Sequence, residues 1–159
     1  MIGNNRKYCI ETTFTTEDYF PVKVGVNSYI DNIRYIQYEK NNFNMLEITA
    51  NKMSNEFYRL QLVICNSFSI TEESICLPEN YEEGIAVFDE TEVVKTELFD
   101  VMVYCDGLSI IFEKDTVARW IKTGSVLFGL NEDSILAEIK VVDITPVVRD
   151  HIISELNQD

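Results

Sequence analysis

The dipeptide Asp106-Gly107 sits between two apolar runs, Val101-Met102-Val103-Tyr104-Cys105 and Leu108-Ser109-Ile110-Ile111-Phe112. A two-residue hairpin loop of type I′ needs positive φ at both central residues, which Asp tolerates and Gly adopts freely. The sequence therefore predicts a hairpin with Asp106-Gly107 at its tip. Because both runs are almost continuously apolar, the two strands are expected to be buried on both faces.

Period-2 patterning extends this β reading along the chain. Tyr8, Ile10, Thr12 and Phe14 alternate, as do Val22, Val24 and Val26 after Pro21. Arg34 to Glu39 and Asn44 to Ala50 read as short strands, and Leu60, Leu62 and Ile64 mark one face of the segment Tyr58 to Ile64. Alternation of this kind is the signature of a sheet with one wet side. A further strand pair, Ser125–Leu130 with Ile135–Ile144, is expected across Asn131-Glu132-Asp133-Ser134.

Two helices are predicted. Asp115 reads as an N-cap, with Val117, Trp120 and Ile121 at helical spacing, Lys122 in the last turn and Gly124 just past the end, giving a short helix at about 115–123. Thr145-Pro146 opens a second at about 146–157. Thr caps, Pro occupies the first position where a missing N–H costs nothing, and Val148, Ile152 and Leu156 form one apolar stripe. The expected fold is α+β: a mainly antiparallel sheet with the terminal helix packed on it, in a single globular domain spanning 1–159.

With 46% hydrophobic and 25% charged residues, the composition is that of a globular chain. No apolar run approaches the length of a membrane span, and the N-terminal residues do not read as a signal peptide. Cysteines 9, 65, 76 and 105 lack the close pairs of a zinc site and are too scattered for a disulfide scaffold. Free thiols and a cytoplasmic location are the expectation.

The negative charge is concentrated. Ser67 to Cys105 holds ten acidic residues and one basic one, a local −9 within a chain net of −14, whereas Met1 to Asn66 is neutral. A field of one sign selects partners of the other. It disfavours nucleic acid and anionic membranes. The segment 71–97 reads as an ordered acidic excursion anchored by Ile75, Leu77, Ile85, Val87 and Phe88, with a strand as an alternative at Gly84–Asp89. Its carboxylates Glu72, Glu73, Glu79, Glu82, Glu83, Asp89, Glu90 and Glu92 are the candidate partner-binding residues. Such a surface can also serve solubility alone.

Motifs for catalysis are lacking. No nucleophile elbow or phosphate-binding glycine loop occurs, and the single histidine, His151, lies beside the apolar stripe of the terminal helix. Asp89-Glu90-Thr91-Glu92 lacks the glycine and later Glu of a calcium loop. No catalytic residue, cofactor or metal is therefore assigned. The expected function is a non-enzymatic module that neutralises a basic protein, most sharply an immunity- or antitoxin-type inhibitor of a nuclease toxin. The alternative is a small structural or adaptor subunit pairing through a sheet edge or apolar face, with a small enzyme third.

Overall fold

The computed structural model describes residues 2–5, 10–16, 19–40, 44–89, 94–96, 99–112 and 117–157. Their strands are β1 (Ile2–Asn5), β2 (Thr12–Phe14), β3 (Val22–Val26), β4 (Ile33–Lys40), β5 (Asn44–Asn51), β6 (Phe57–Cys65), β7 (Phe68–Ile70) and β8 (Glu82–Glu83). Then follow β9 (Ile85–Phe88), β10 (Val94–Thr96), β11 (Asp100–Val103), β12 (Leu108–Ile111), β13 (Arg119–Thr123), β14 (Val126–Leu130) and β15 (Leu136–Val141). One helix, α1 (Pro146–Leu156), closes the described chain.

The strands form a six-stranded sheet, β10-β4-β5-β6-β3-β2, a seven-stranded sheet, β7-β11-β12-β15-β14-β13-β8, and a ribbon of β1 with β9. All pairings are antiparallel except β10/β4, β7/β11 and β8/β13, which are parallel. Alternation explains the layering. Ile36, Ile48, Leu60, Leu62, Val22 and Val24 point inward from the first sheet, and Leu108, Ile110, Ile139, Val141 and Phe128 from the second, all buried in one core. Phe57 of β6 meets Phe128 of β14 edge-on at 5.0 Å between ring centroids, and Phe88 of β9 meets Phe128 at 5.3 Å. In β6 the ladder slips beside Val63, which turns Ile64 outward and Cys65 inward.

The terminal helix forms as its signals predict. The Thr145 side chain accepts the Val148 N–H, Pro146 stands in the first turn, and Ile152 and Leu156 are buried.

The predicted short helix at about 115–123 is corrected: Arg119–Thr123 is β13, antiparallel to β14. Ile121 and Thr123 are buried while Trp120 and Lys122 are half-exposed, a period of two rather than 3.6. Gly124, the expected helix terminator, has φ +58° and opens the two-residue turn between Thr123 and Val126. Positive φ at the first central residue alone is the pattern of a type II′ turn. Asp115 lies outside the described residues.

The hairpin of β11 and β12 exists, but its tip is one residue earlier than expected. Val103 pairs with Leu108, and the Tyr104 N–H donates to the Gly107 carbonyl at 2.8 Å, which leaves Cys105-Asp106 as the loop. Neither Asp106 nor Gly107 has positive φ, so the turn is not type I′. Tertiary contacts select it. The Asp106 carboxylate accepts the Ile75 N–H at 2.8 Å, its carbonyl accepts the Ile144 N–H at 3.2 Å, and the Cys105 N–H donates to Glu73.

Candidate functional site

Strands β7 and β8 occupy opposite edges of the seven-stranded sheet and are separated in sequence by residues 71–81 alone. Seven strands at about 4.8 Å spacing put those edges roughly 29 Å apart. At about 3.3–3.6 Å per residue when fully extended, a chain of this length reaches across with modest slack, whereas a helix at about 1.5 Å per residue would fall short. Residues 71–81, the first part of the acidic excursion, are therefore a strap laid across a sheet face, whereas the rest of the excursion holds β8, β9 and β10.

Register identifies that face. Ser69, Met102, Ser109, Lys140, Leu127, Lys122 and Glu83 form one continuous row from β7 to β8, on the side opposite the core. Leu127 and Ser109 are nonetheless each only 1% exposed.

The sheet grips the strap at several points. Arg149 of α1 donates to the carbonyls of Tyr104 (2.9 Å) and Thr71 (3.2 Å) and pairs with Glu72 at 2.9 Å. Ile75 packs against Gly107, where an added methyl would lie 2.6 Å from Ile75 Cγ2. Lys140 donates to the Cys76 carbonyl, lies 4.0 Å from the Glu138 carboxylate, and sits 5.4 Å from the centre of the Trp120 ring. Further along, Lys122 lies 5.4 Å from the centre of the Tyr81 ring. Burial pushes the Glu138 carboxyl above its ordinary range, and Lys140 and then Ser109 pull it partly back.

The sequence-predicted carboxylates are spread along this strap and beyond it. Glu72 is exposed and paired with Arg149, and Glu73 and Glu79 are exposed. Glu82 is half-buried, accepts the Asn4 amide at 3.3 Å and lies 3.9 Å from Arg119. Glu83 is exposed at the far edge, and Asp89 is exposed after β9. Glu90 and Glu92 lie outside the described residues. The structure thus makes a line rather than a cluster, with Glu72/Glu73 at one edge and Glu82/Glu83 at the other. The two ends are several times the ~8 Å Debye length apart, so each acts on its own part of a partner. Lys140, Arg149 and Lys122, which hold the strap, carried no motif in the sequence. Lys140 and Lys122 could have been picked out only as charges on the wet phase of alternating strands.

An open cleft of about 390 Å³ lies beside Glu83, with Glu11, Asp143, Lys122, Thr12 and Ser125 in its wall. Asp143 has φ +57°, and the Thr12 hydroxyl accepts the Ser125 N–H at 2.8 Å. No three His, Cys, Asp or Glu converge to hold a metal ion among the described residues. His151 is half-buried away from this cleft, donating from Nε2 to the Phe20 carbonyl at 3.2 Å. Cys65, Cys76 and Cys105 are free thiols, and burial raises the Cys65 thiol to about 11. No described helix is long and apolar enough to cross a membrane. No protein-family model and no curated protein matches the chain.

Proposed function

We propose that this protein is a non-enzymatic binding module that neutralises a basic protein partner through the acidic strap, in its sharpest form an immunity- or antitoxin-type inhibitor of a nuclease toxin. The observation that carries the reading is the contrast between the strap's held backbone and its outward carboxylates. Arg149, Asp106 and Lys140 fix the main chain, while Glu73, Glu79 and Glu83 are exposed with no counter-ion among the described residues. Pre-placed charges steer a complementary partner and lose little entropy on binding. A nuclease must carry Lys and Arg where it grips phosphates, and a long acidic line on a rigid sheet suits such a groove. The free thiols fit a reducing, cytoplasmic setting.

The test reverses the unpaired carboxylates and spares the structural ones. A Glu73/Glu79/Glu83→Lys variant should melt as the parent does, because exposed charges contribute little to stability. Capture from the native cell extract at low and high salt should yield a basic protein with the parent and not with the variant. The captured protein should also lose nuclease activity on adding the parent. Equal capture by both proteins sinks the reading.

A further inference from the structure

We infer that the outer face of the six-stranded sheet binds a carboxylate ligand through Arg59 and Thr49, at a site separate from the strap and independent of the function proposed for it. Tyr35, Thr49, Arg59 and Gly25 stand in one row across β4, β5, β6 and β3. Ile48 and Leu60, their neighbours along β5 and β6, point into the core, so this row lies on the opposite side. Polar side chains there should bond to water or to each other, and two of them do neither. Thr49 is 0% exposed, and both its hydroxyl oxygen and the Nε of half-buried Arg59 are buried without a hydrogen-bond partner among the described residues.

Arg59 stands out in a second respect. The chain has 27 acidic residues against 13 basic ones, yet no carboxylate pairs with this guanidinium among the described residues. It faces the Tyr58 ring instead, with Cζ 5.9 Å from the ring centre. Glu47, in the adjoining row, accepts the Gln37 amide at 3.2 Å. Gly25 brings no side chain from β3 to cover Arg59, since a Cβ there would lie 3.2 Å from Arg59 Cβ. A buried donor without an acceptor and a half-buried cation without a counter-ion both weaken a fold. One incoming acceptor would satisfy both groups.

The two groups define the ligand. Both donate, so the ligand must accept, and the guanidinium calls for negative charge. A carboxylate presents two oxygens to the arginine fork. Thr49 and Arg59 are directly opposed on strands about 4.8 Å apart, so one of those oxygens can also accept the Thr49 hydroxyl. Neither a hydrogen bond nor an ion pair fixes the guanidinium among the described residues, so it can turn toward the ligand and uncover Thr49. A phosphate dianion fits less well, because Glu47 and a chain charge of −14 repel its second negative charge. Tyr35, 42% exposed, and Tyr58 add aromatic surface beside the pair, which suits a flat carrier.

The probe is benzoate, compared with neutral benzamide and with inorganic phosphate, titrated against the full chain by nuclear magnetic resonance. Millimolar benzoate should shift the Arg59 Nε–H and Thr49 amide resonances saturably. Benzamide should not, and phosphate should bind several-fold more weakly. Arg59→Met keeps the stem, removes the fork and should abolish saturable binding. Thr49→Val exchanges the hydroxyl for a methyl of the same shape. It should weaken benzoate binding several-fold and, without benzoate, melt no lower than the parent, because an unpartnered hydroxyl stabilises nothing. A lower melting temperature would show that the hydroxyl is satisfied within the fold and overturn its part in the site. Absence of saturable shifts at tens of millimolar benzoate overturns the inference, as does equal binding of benzamide or benzoate binding by a folded Arg59→Met variant. Tighter binding of phosphate than of benzoate overturns the carboxylate assignment. Should Arg59→Met not fold, the benzamide comparison and Thr49→Val decide.

Discussion

A methyl group on Gly107 would lie 2.6 Å from Ile75 Cγ2 and 2.9 Å from the Val141 carbonyl oxygen. This glycine is present for close approach, since its φ is not positive. The distinction has a measurable consequence. Gly107→Ala should cost about 1–3 kcal/mol as overpacking, and Ile75→Ala in the same chain should recover part of that loss in a denaturant double-mutant cycle. Strict additivity would show that Ile75 is not what excludes the side chain. At Glu138 the relevant quantity is a proton. Burial raises the carboxyl's folded pKa, so the native state holds this proton more tightly than the unfolded chain does. The associated stability is fully present below the unfolded pKa and is lost as pH rises through the folded value. Glu138→Gln should therefore melt higher than the parent at neutral pH, with the difference shrinking as the pH is lowered. A variant that melts lower at neutral pH would show that the Lys140 ion pair outweighs the desolvation.

Strand β13 shows how one stretch can satisfy two periods. Val117, Trp120 and Ile121 have helical spacing, yet Ile121 and Thr123 also alternate, and Gly124 ends a helix as readily as it opens a hairpin. Local signals cannot decide between these; the sheet does, because Thr123 has a task only in a strand. Its hydroxyl donates to the Gly84 carbonyl at 2.8 Å and accepts the Ala86 N–H at 3.1 Å, joining β13 to the start of β9. Thr123→Val keeps the shape and strands both partners, and each buried unsatisfied group costs about 1–3 kcal/mol. Denaturant unfolding should show a loss of that order, and a neutral result would mean that water replaces the hydroxyl. The Thr145-Pro146 helix was legible because its cap, first turn and stripe agree on one answer. The antiparallel strands β3 to β6 were legible because they alternate, and β11, β12 and β14 because they are near-continuous apolar runs. The parallel additions β7, β8 and β10 were not, since pairings of two or three residues leave no local period to read. The expected hairpin was read correctly as an element and misplaced by one residue. Moving the tip by one residue shifts the pairing by two, setting Val103 opposite Leu108 rather than Ile110, and leaves the inward faces unchanged, so hydrophobicity cannot set the tip.

At the scale of the whole molecule, the acidic segment's composition was plain in the sequence, but its layout was not. Layout follows from β7 and β8 being opposite edges of one sheet, a fact of topology that turns a run of carboxylates into a line across a face. That line is useful for binding only while the strap stays down, and the strap has little apolar burial of its own: Leu77 is 57% exposed and Tyr81 44%. Segments with few buried contacts open locally at free energies well below global unfolding. The strap should therefore depend on its clamps, and Lys140, bonded to the Cys76 carbonyl midway across the sheet, is the central one. Replacing Lys140 alone would strand the partly buried Glu138 carboxylate, so the comparison is made in a Glu138→Gln chain, with and without Lys140→Met. Methionine retains the stem against Trp120 and removes the hydrogen bond. Chymotrypsin should then cut after Tyr81 several-fold faster, and the Ile75 amide should exchange faster, while the melting temperature of the core moves little. If cleavage and exchange match those of the Glu138→Gln parent, Lys140 does not hold the strap, and Arg149 and Ile75 suffice to keep the carboxylate line in place.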